Sequence, residues 1–161
     1  MKYAISAITG LVVSGLIATT AISDSHADKA MLTAVKARQA QMTLYAYNIS
    51  LLGGMAKGAV EYDATAATAA AANLAAMSKL DQSRLWPRGS DNQALGDETT
   101  EALPAIWAAD SKVGEKGMAM AAAATAMEQA AGGGLDALRG AIGPLGKSCG
   151  GCHESYRKAQ N

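Results

Sequence analysis

Phenylalanine is absent from this chain of 161 residues, and tryptophan and tyrosine together make up only 4% of it. Runs of β-branched and aromatic residues, which strands require, are scarce beyond the first 22 positions. Alanine, the strongest helix former, occurs 37 times. The composition therefore predicts an all-α chain, and the length predicts one domain. Because alanine fills little volume, such helices leave an underfilled core, which is a first indication of a bound apolar cofactor.

The chain has no excess charge of either sign, since 14 lysines and arginines balance 14 aspartates and glutamates. Proteins that bind the phosphate backbone of nucleic acids need a basic excess. We therefore expect no nucleic-acid partner. The same balance provides no overall electrostatic steering toward a strongly charged protein.

The N-terminal segment 1–27 has the pattern of a secretory signal peptide. A lysine near the start is followed by an uncharged, mostly apolar stretch and then by small residues. We expect cleavage after Ala27, although cuts after Ala21 or Ser23 also fit, and a mature domain spanning residues 28–161. An uncleaved membrane anchor is the alternative, but serine and threonine dilute the apolar stretch. The mature protein is therefore predicted to be periplasmic and to have no stable membrane span.

Histidine is as scarce as cysteine, with two residues of each type. Cleavage after Ala27 would remove His26 and leave His153 as the one histidine. Catalytic triads and histidine-based zinc enzymes need more imidazole than this, or a nucleophile with its own base. Most hydrolase classes are therefore excluded, and we expect a carrier or binding protein rather than an enzyme.

Helical periodicity begins soon after the expected cleavage point. Large or apolar residues recur there at alternating steps of three and four, which is the pattern of a buried bundle seam with one polar interruption. These positions are Leu32, Val35, Gln39, Met42, Ala46, Ile49, Leu52 and Ala56. Asp63 is a good N-cap for a second, alanine-rich helix that extends to Leu80. The segment Trp86–Asn92 breaks the pattern, and we expect a loop from there to about Thr100.

Two further helices complete the predicted fold. Thr99 or Thr100 caps the third helix, which runs to about Ala131 and ends at three consecutive glycines. The fourth helix begins near Leu135, and we expect Pro144 to kink or interrupt it. Four amphipathic helices joined by short links and one longer loop predict an antiparallel four-helix bundle.

The segment Cys149-Gly-Gly-Cys152-His153 is the strongest signal in the chain. On a helix, its two thiols and its imidazole can emerge on one face within one turn. Two thiols at this spacing can bond the two vinyl-bearing positions along one edge of a porphyrin, and the adjacent imidazole can bind the iron. The motif therefore predicts one covalent haem c near the C-terminus, with His153 as the proximal ligand.

Three other interpretations of the motif stay open. A structural zinc site needs four ligands, so it would require a carboxylate or a second chain. A thioredoxin-like site places its cysteines after a strand in a βαβ unit, a pattern that this sequence lacks. A disulfide between the two cysteines would close a very short loop and leave the histidine unexplained. That disulfide is the basis of a different hypothesis, a haem-free helical interaction module.

With these residues assembled, the chain resembles the class II c-type cytochromes, the cytochrome c prime family. The resemblance covers about residues 28–158 and implies a periplasmic four-helix bundle with the haem motif near its C-terminus. The matching features are the late haem motif with Tyr156-Arg157 after it, the Arg38-Gln39 pair and the segment Pro104–Trp107.

The resemblance also implies roles for five other residues. Arg38 and Gln39 correspond to first-helix residues beside the haem propionates, and Glu101 corresponds to a loop residue at the haem edge. Met42 corresponds to the distal residue facing the sixth iron position, and Arg157 to a basic residue flanking the proximal pocket. Arg38 and Met42 are four residues apart and therefore share a helix face, and a guanidinium is a good bidentate partner for a propionate.

Simpler alternatives exist for these residues. Arg38 and Glu101 could be solvated charges, and Met42 could pack the helix seam. We expect Trp86 and Trp107 to anchor the core or a loop, with Trp86 also able to contact a porphyrin.

Met42 separates two functions that the resemblance allows. A thioether on iron would give a six-coordinate His/Met centre, which suits a one-electron carrier that serves redox partner proteins. An open sixth position would suit the binding of nitric oxide, carbon monoxide or another small gas. We favour the electron carrier. The resemblance also allows a homodimer through the first two helices, where the small residues of segment 66–72 would permit close approach, but these residues fit packing within the chain equally well.

Overall fold

A computed structural model describes residues 20–159, with side chains from Asp28 onward. Residues 1–19 of the predicted signal peptide lie outside the described part. The first helix begins at Thr20, ahead of the expected cut after Ala27, and cleavage there stays a prediction. The helices are α1 (Thr20–Lys57), α2 (Ala64–Ser78), α3 (Asn92–Leu95), α4 (Val113–Ala130) and α5 (Leu135–Tyr156), with a 3₁₀ helix at Pro104–Trp107.

The four long helices form the bundle that the sequence predicts. Helix α1 packs against α2 and α5, and α4 packs against the same two neighbours, so the four close a ring. Within residues 20–159 there is no strand, only an isolated antiparallel bridge between Ala102 and Arg157. No helix in this described range is long and apolar enough to cross a membrane.

Two predicted helix boundaries are confirmed. Asp63 precedes α2 in an extended conformation, and its Oδ1 accepts a hydrogen bond of 2.8 Å from the backbone N–H of Ala66. This bond satisfies one of the free donors of the first turn. At the other boundary, Gly134 has a φ of 109° that only glycine adopts readily, and α5 begins at the next residue.

The prediction of a third helix from Thr99 or Thr100 is wrong. Helix α4 begins at Val113, and the preceding segment forms only a short 3₁₀ helix. The reason is tertiary: the backbone of this segment bonds to the end of α5. Leu103 N–H donates to Tyr156 O at 3.0 Å, and the backbone N–H of Lys158 donates to Glu101 O at 2.8 Å.

Pro144 does not interrupt α5, contrary to one of the two expected outcomes. The helix runs without a break from Leu135 to Tyr156. Proline at this position deprives the carbonyl of Gly140 of its helical partner. Because Gly140, Gly143 and Pro144 all lie on the exposed face, water can take the place of that partner.

The apolar spacing along α1 identified the buried face of this helix in part, since Ile49 and Ala56 also pack against the apolar core. Of the predicted seam, Val35 and Leu52 are buried, but Leu32 is 40% exposed, and Gln39 and Ala46 are exposed. The buried positions between the two apolar ends are polar. They are Arg38, Gln41 and Asn48.

Each buried polar side chain on α1 has a partner that the local sequence does not reveal. Gln41 Nε2 donates to the carbonyl of Met77 at 3.1 Å, and Asn73 Nδ2 donates to Asn48 Oδ1 at 3.1 Å. These bonds tie α1 to α2. Since buried polar groups are stable only when bonded, the seam of α1 is polar where α2 and the following loop supply partners.

The apolar core occupies one half of the bundle. It consists of the later part of α1, all of α2, the end of α4 and the first half of α5. Its members include Leu52, Met55, Leu74, Met127, Leu138 and Leu145. Three alanines of segment 66–72, namely Ala67, Ala70 and Ala71, belong to this core, so they pack within the chain.

Candidate haem site

The other half of the bundle contains a cavity of about 320 Å³ that opens to solvent. Residues from α1, the α2–α4 loop, the start of α4 and the end of α5 line it. The cavity brings together most of the site residues predicted from the sequence. These are Arg38, Gln39, Met42, Glu101, Cys152 and His153.

His153 projects from the last turns of α5 and is half-buried. Burial lowers the pKa of its imidazole, the positive charge of Arg157 lowers it further, and Glu101 partly opposes both effects. The neutral imidazole is the form that binds iron. The site therefore favours the ligand form of His153.

Cys149 and Cys152 are both half-buried, and their sulfurs are not joined in a disulfide. Burial raises the pKa of both thiols, and nearby Lys116 opposes the shift at Cys152. Cys152 lines the cavity, whereas Cys149 lies one turn earlier on α5, close enough to Tyr45 to affect its pKa. Both thiols are therefore free in this structure, as covalent attachment to haem requires.

The zinc interpretation also finds no support in the described range. No group of three or more histidine, cysteine, aspartate or glutamate side chains within residues 28–159 is placed to hold a metal ion.

The two glycines of the motif leave open space on the surface of α5 between the two cysteines. A Cβ on Gly150 would meet nothing within 4 Å, and one on Gly151 would meet only Lys116 Nζ at 3.5 Å.

Met42 reaches the cavity from α1, on a different helix from His153. Its side chain is 38% exposed, in part toward this cavity. Met55, a second methionine of α1, is only 2% exposed and belongs to the apolar core. Of these two thioethers, Met42 alone lines the cavity.

Arg38 is 3% exposed, so the alternative of a solvated charge is wrong. Its Nη1 donates to Ser90 Oγ at 2.6 Å, and its Nη2 donates to Ser90 O at 2.5 Å and to Thr100 Oγ1 at 2.8 Å. Its guanidinium carbon lies 4.7 Å from the ring centroid of Trp86, a cation–π distance. Burial lowers the pKa of Arg38, and the charge of Asp91 opposes that shift.

The remaining polar residues form a rim. Gln39 Nε2 donates to the carbonyl of Thr99 at 2.9 Å. Glu101 Oε2 lies 3.7 Å from Arg157 Nε, and both side chains are about two-fifths exposed. Exposed pairs of this kind contribute little to stability. The rim therefore stays accessible to a polar group at the cavity mouth.

Both tryptophans anchor the loop, as expected. Trp107 Nε1 donates to the carbonyl of Trp86 at 3.0 Å, and the two ring centroids are 6.4 Å apart. Trp86 also lines the cavity. Tyr156 lines it too, and its hydroxyl accepts a hydrogen bond of 2.8 Å from the backbone N–H of Lys112.

Sequence reasoning missed Ser90, the buried acceptor of two Arg38 bonds. It treated Thr100 only as a helix cap. Neither residue stands in a motif, and both lie more than 50 positions from Arg38. The composition of this loop does not distinguish buried residues from exposed ones, so the local sequence did not indicate that Ser90 and Thr100 are buried.

The donors present fit a covalent haem c. Two free thiols stand three residues apart on one helix, an imidazole follows directly, and a mostly apolar cavity adjoins them. A second potential iron ligand, the Met42 thioether, lines the same cavity. Gln39 and Glu101 are polar side chains of the same lining and could contact the propionates of a haem.

Comparisons with known proteins agree with this chemistry. The family model described as Cytochrome C′ matches residues 33–157. Cytochrome c-554 of Cereibacter sphaeroides is 45% identical over 125 residues, covering 77% of this chain and 92% of that protein. The solved cytochrome c′ of Rhodobacter spheriodes superposes with a TM-score of 0.77 at 36% identity, covering 81% of this chain and 98% of that one.

A further solved relative is a nitric oxide complex of a cytochrome c prime variant from Alcaligenes xylosoxidans. It has a TM-score of 0.65 at 34% identity and covers 78% of this chain and 94% of that one. The matched region contains the helical bundle and the haem motif. The chain therefore belongs to the cytochrome c prime family of class II c-type cytochromes, whose members bind one covalent haem c.

Proposed function

We propose that this chain is a periplasmic haem protein that carries single electrons between redox partner proteins. In this proposal Cys149 and Cys152 form the thioether bonds to haem, and His153 is the proximal iron ligand. One observation carries the proposal: Met42 on α1 and His153 on α5 line the same cavity. The protein would then offer an axial ligand from each of two helices.

When bound, haem c supplies an iron centre that gains and loses one electron. The residues of the chain determine how that centre is held. Burial and the charge of Arg157 lower the pKa of His153, which favours its neutral form. Arg38, Gln39 and Glu101 would be the polar residues at the haem edge, and the rest of the cavity wall is mostly apolar.

The thioether of Met42 would favour electron transfer over other haem chemistry. Sulfur ligation stabilises reduced iron and raises the reduction potential. Met42 and His153 both belong to helices of the packed bundle, so both would be held by the fold when haem is bound. A centre of this type passes electrons without consuming a substrate, so we propose no enzymatic reaction.

Gas binding is the second candidate function. The position of Met42 supports it, because its side chain lines the cavity together with His153. The similarity to a solved nitric oxide complex supports it as well. In this case Met42 would border an open sixth position, where nitric oxide or carbon monoxide could bind.

Visible spectra of the purified protein distinguish the two functions. The electron-carrier proposal predicts low-spin spectra in both oxidation states, a weak long-wavelength band of sulfur-ligated iron in the oxidised state, and no change on addition of carbon monoxide to the reduced protein. A high-spin spectrum that shifts with carbon monoxide or nitric oxide would reject Met42 ligation and support gas binding.

We also propose a homodimer through α1 and α2. Leu44 and Tyr47 on α1 are large apolar residues that are 52% and 75% exposed. Their burial against a second copy would remove apolar surface from water. Sedimentation equilibrium measures the mass in solution, and a monomer at all concentrations would reject this part of the proposal.

A further inference from the structure

The loop between α2 and α4 forms much of the cavity wall but has little regular structure. In segment 79–112, only the four residues of α3 and the short 3₁₀ helix are regular. Trp86, Thr99 and Thr100 belong to this segment and line the cavity. Contacts with the neighbouring helices, together with bonds within the loop, therefore determine where these residues lie.

Arg38 supplies the buried contacts. Its bonds reach both Ser90 and Thr100, and its guanidinium covers the ring of Trp86. A weaker contact of 3.4 Å joins Nη1 to the carbonyl of Leu85. One side chain of α1 thus contacts the loop at residues that span 85–100.

These bonds occupy the donors that a carboxylate would need. A carboxylate pairs with arginine through two parallel N–H groups, taken either from Nη1 and Nη2 or from Nε and Nη2. The carbonyl and hydroxyl of Ser90 take the first pair, and Thr100 Oγ1 takes the second hydrogen of Nη2. No edge of the guanidinium keeps two free N–H groups.

Breaking the bonds between Arg38 and the loop, so that the guanidinium could bind a carboxylate, would cost free energy. Ser90 is fully buried, and Thr100 and Arg38 are 2% and 3% exposed. Buried donors and acceptors that lose their partners pay the full cost of desolvation. Ser90 also lies outside the cavity lining, so it can affect a bound group only through the loop.

We propose that Arg38 is a positioning residue of the haem cavity. It fixes Trp86 and the 85–102 segment against α1 and is not the bidentate partner of a haem propionate. The inference rests on the proposed function in so far as the cavity holds haem. It differs from the role that the family resemblance implies for this arginine.

The test uses the full-length protein matured with haem and three variants. Arg38→Lys keeps the positive charge but replaces the planar fork with a single ammonium. Ser90→Ala removes one acceptor that lies outside the cavity. Arg84→Lys is the matched control, because Arg84 is an exposed arginine of the same loop.

Hydrogen exchange followed by mass spectrometry reports on the loop, and the visible spectrum with the midpoint potential reports on the cavity. Arg38→Lys and Ser90→Ala should each speed amide exchange in segment 85–102 about tenfold, the effect of losing one charge-assisted hydrogen bond. Both should shift the spectrum and the potential in the same direction while exchange in the helices stays unchanged. Arg84→Lys should alter neither readout.

Normal loop exchange in both Arg38→Lys and Ser90→Ala would overturn the proposal. If Arg38→Lys does not fold, Ser90→Ala decides alone, because its substitution is small and leaves the charge in place. A purified protein without haem would reject the proposed function. The exchange comparison would remain valid in that protein, so the two failures can be distinguished.

Discussion

Met42 is the side chain on which the two candidate functions differ. In the haem-loaded protein, Met42→Ala should abolish the low-spin oxidised spectrum and its long-wavelength sulfur band, because alanine offers no thioether. Absorbance of the oxidised protein measures this change. Met118→Ala is the control, since Met118 is 68% exposed on α4 and does not line the cavity. An unchanged spectrum in Met42→Ala would show that the thioether is not a ligand.

Individual residues differ in how well the sequence predicts their surroundings. Cys149, Cys152 and His153 form a contiguous motif whose chemistry follows from spacing alone. The burial of Arg38 could not be predicted in the same way, because its acceptors lie in a loop more than 50 residues away. A charged residue is ordinarily exposed, and only the tertiary partners reverse that expectation.

Helices were predictable where their signals are local. The Asp63 cap and the glycines before α5 act through hydrogen bonds and backbone angles within a few residues, and both predictions are confirmed. The start of α4 was not predictable. Thr100 looks like a helix cap, but the backbone next to it bonds to the end of α5 instead. Long-range pairing overrode a good local signal.

The turn between α4 and α5 allows a direct test of the local part of this account. Gly134→Ala should lower the free energy of unfolding by about 1–3 kcal/mol, because a φ of 109° is strained for a residue with a side chain. Gly140→Ala, within α5, should raise it by about 0.5–1 kcal/mol, because its Cβ would meet nothing within 4 Å. Denaturant titrations measure both values.

The two variants are each other's control, since both replace a glycine with alanine within six residues of chain. A loss of stability in Gly140→Ala as large as that in Gly134→Ala would contradict the assigned backbone conformation. Equal, small effects in both would do the same.

The molecule as a whole consists of a packed half and a half that contains the cavity. The scarcity of large aromatic residues predicted an underfilled core, and the structure places that underfilling at one end of the bundle. The haem motif late in the last helix predicted which end, because His153 lines that cavity together with Arg38 and Met42 of α1. Haem would fill the space in the half of the bundle that alanine and polar side chains leave empty.

Loss of haem should therefore destabilise the whole bundle. At ~24 cal/mol per Å³, a cavity of about 320 Å³ sets an upper limit of about 8 kcal/mol, which is reduced because the cavity opens to solvent. The double variant Cys149→Ser with Cys152→Ser should have a Tm at least about 10 °C below that of the haem-loaded protein. Circular dichroism during heating measures it.

The unaltered chain produced without haem maturation is the control for that variant. Its Tm should equal that of the serine variant, because both proteins lack covalent haem and differ only in two sulfur atoms. Equal Tm values for all three proteins would mean that the cavity contributes nothing to stability.

The attachment site is tested most directly by mass spectrometry of the tryptic peptide 148–157, which contains both cysteines and His153. Trypsin releases it by cutting after Lys147 and Arg157. From protein produced with haem maturation, this peptide should carry the mass of one haem, absorb in the Soret region and resist alkylation at both thiols. An unmodified, alkylatable peptide from the same preparation would contradict the covalent attachment of haem at Cys149 and Cys152.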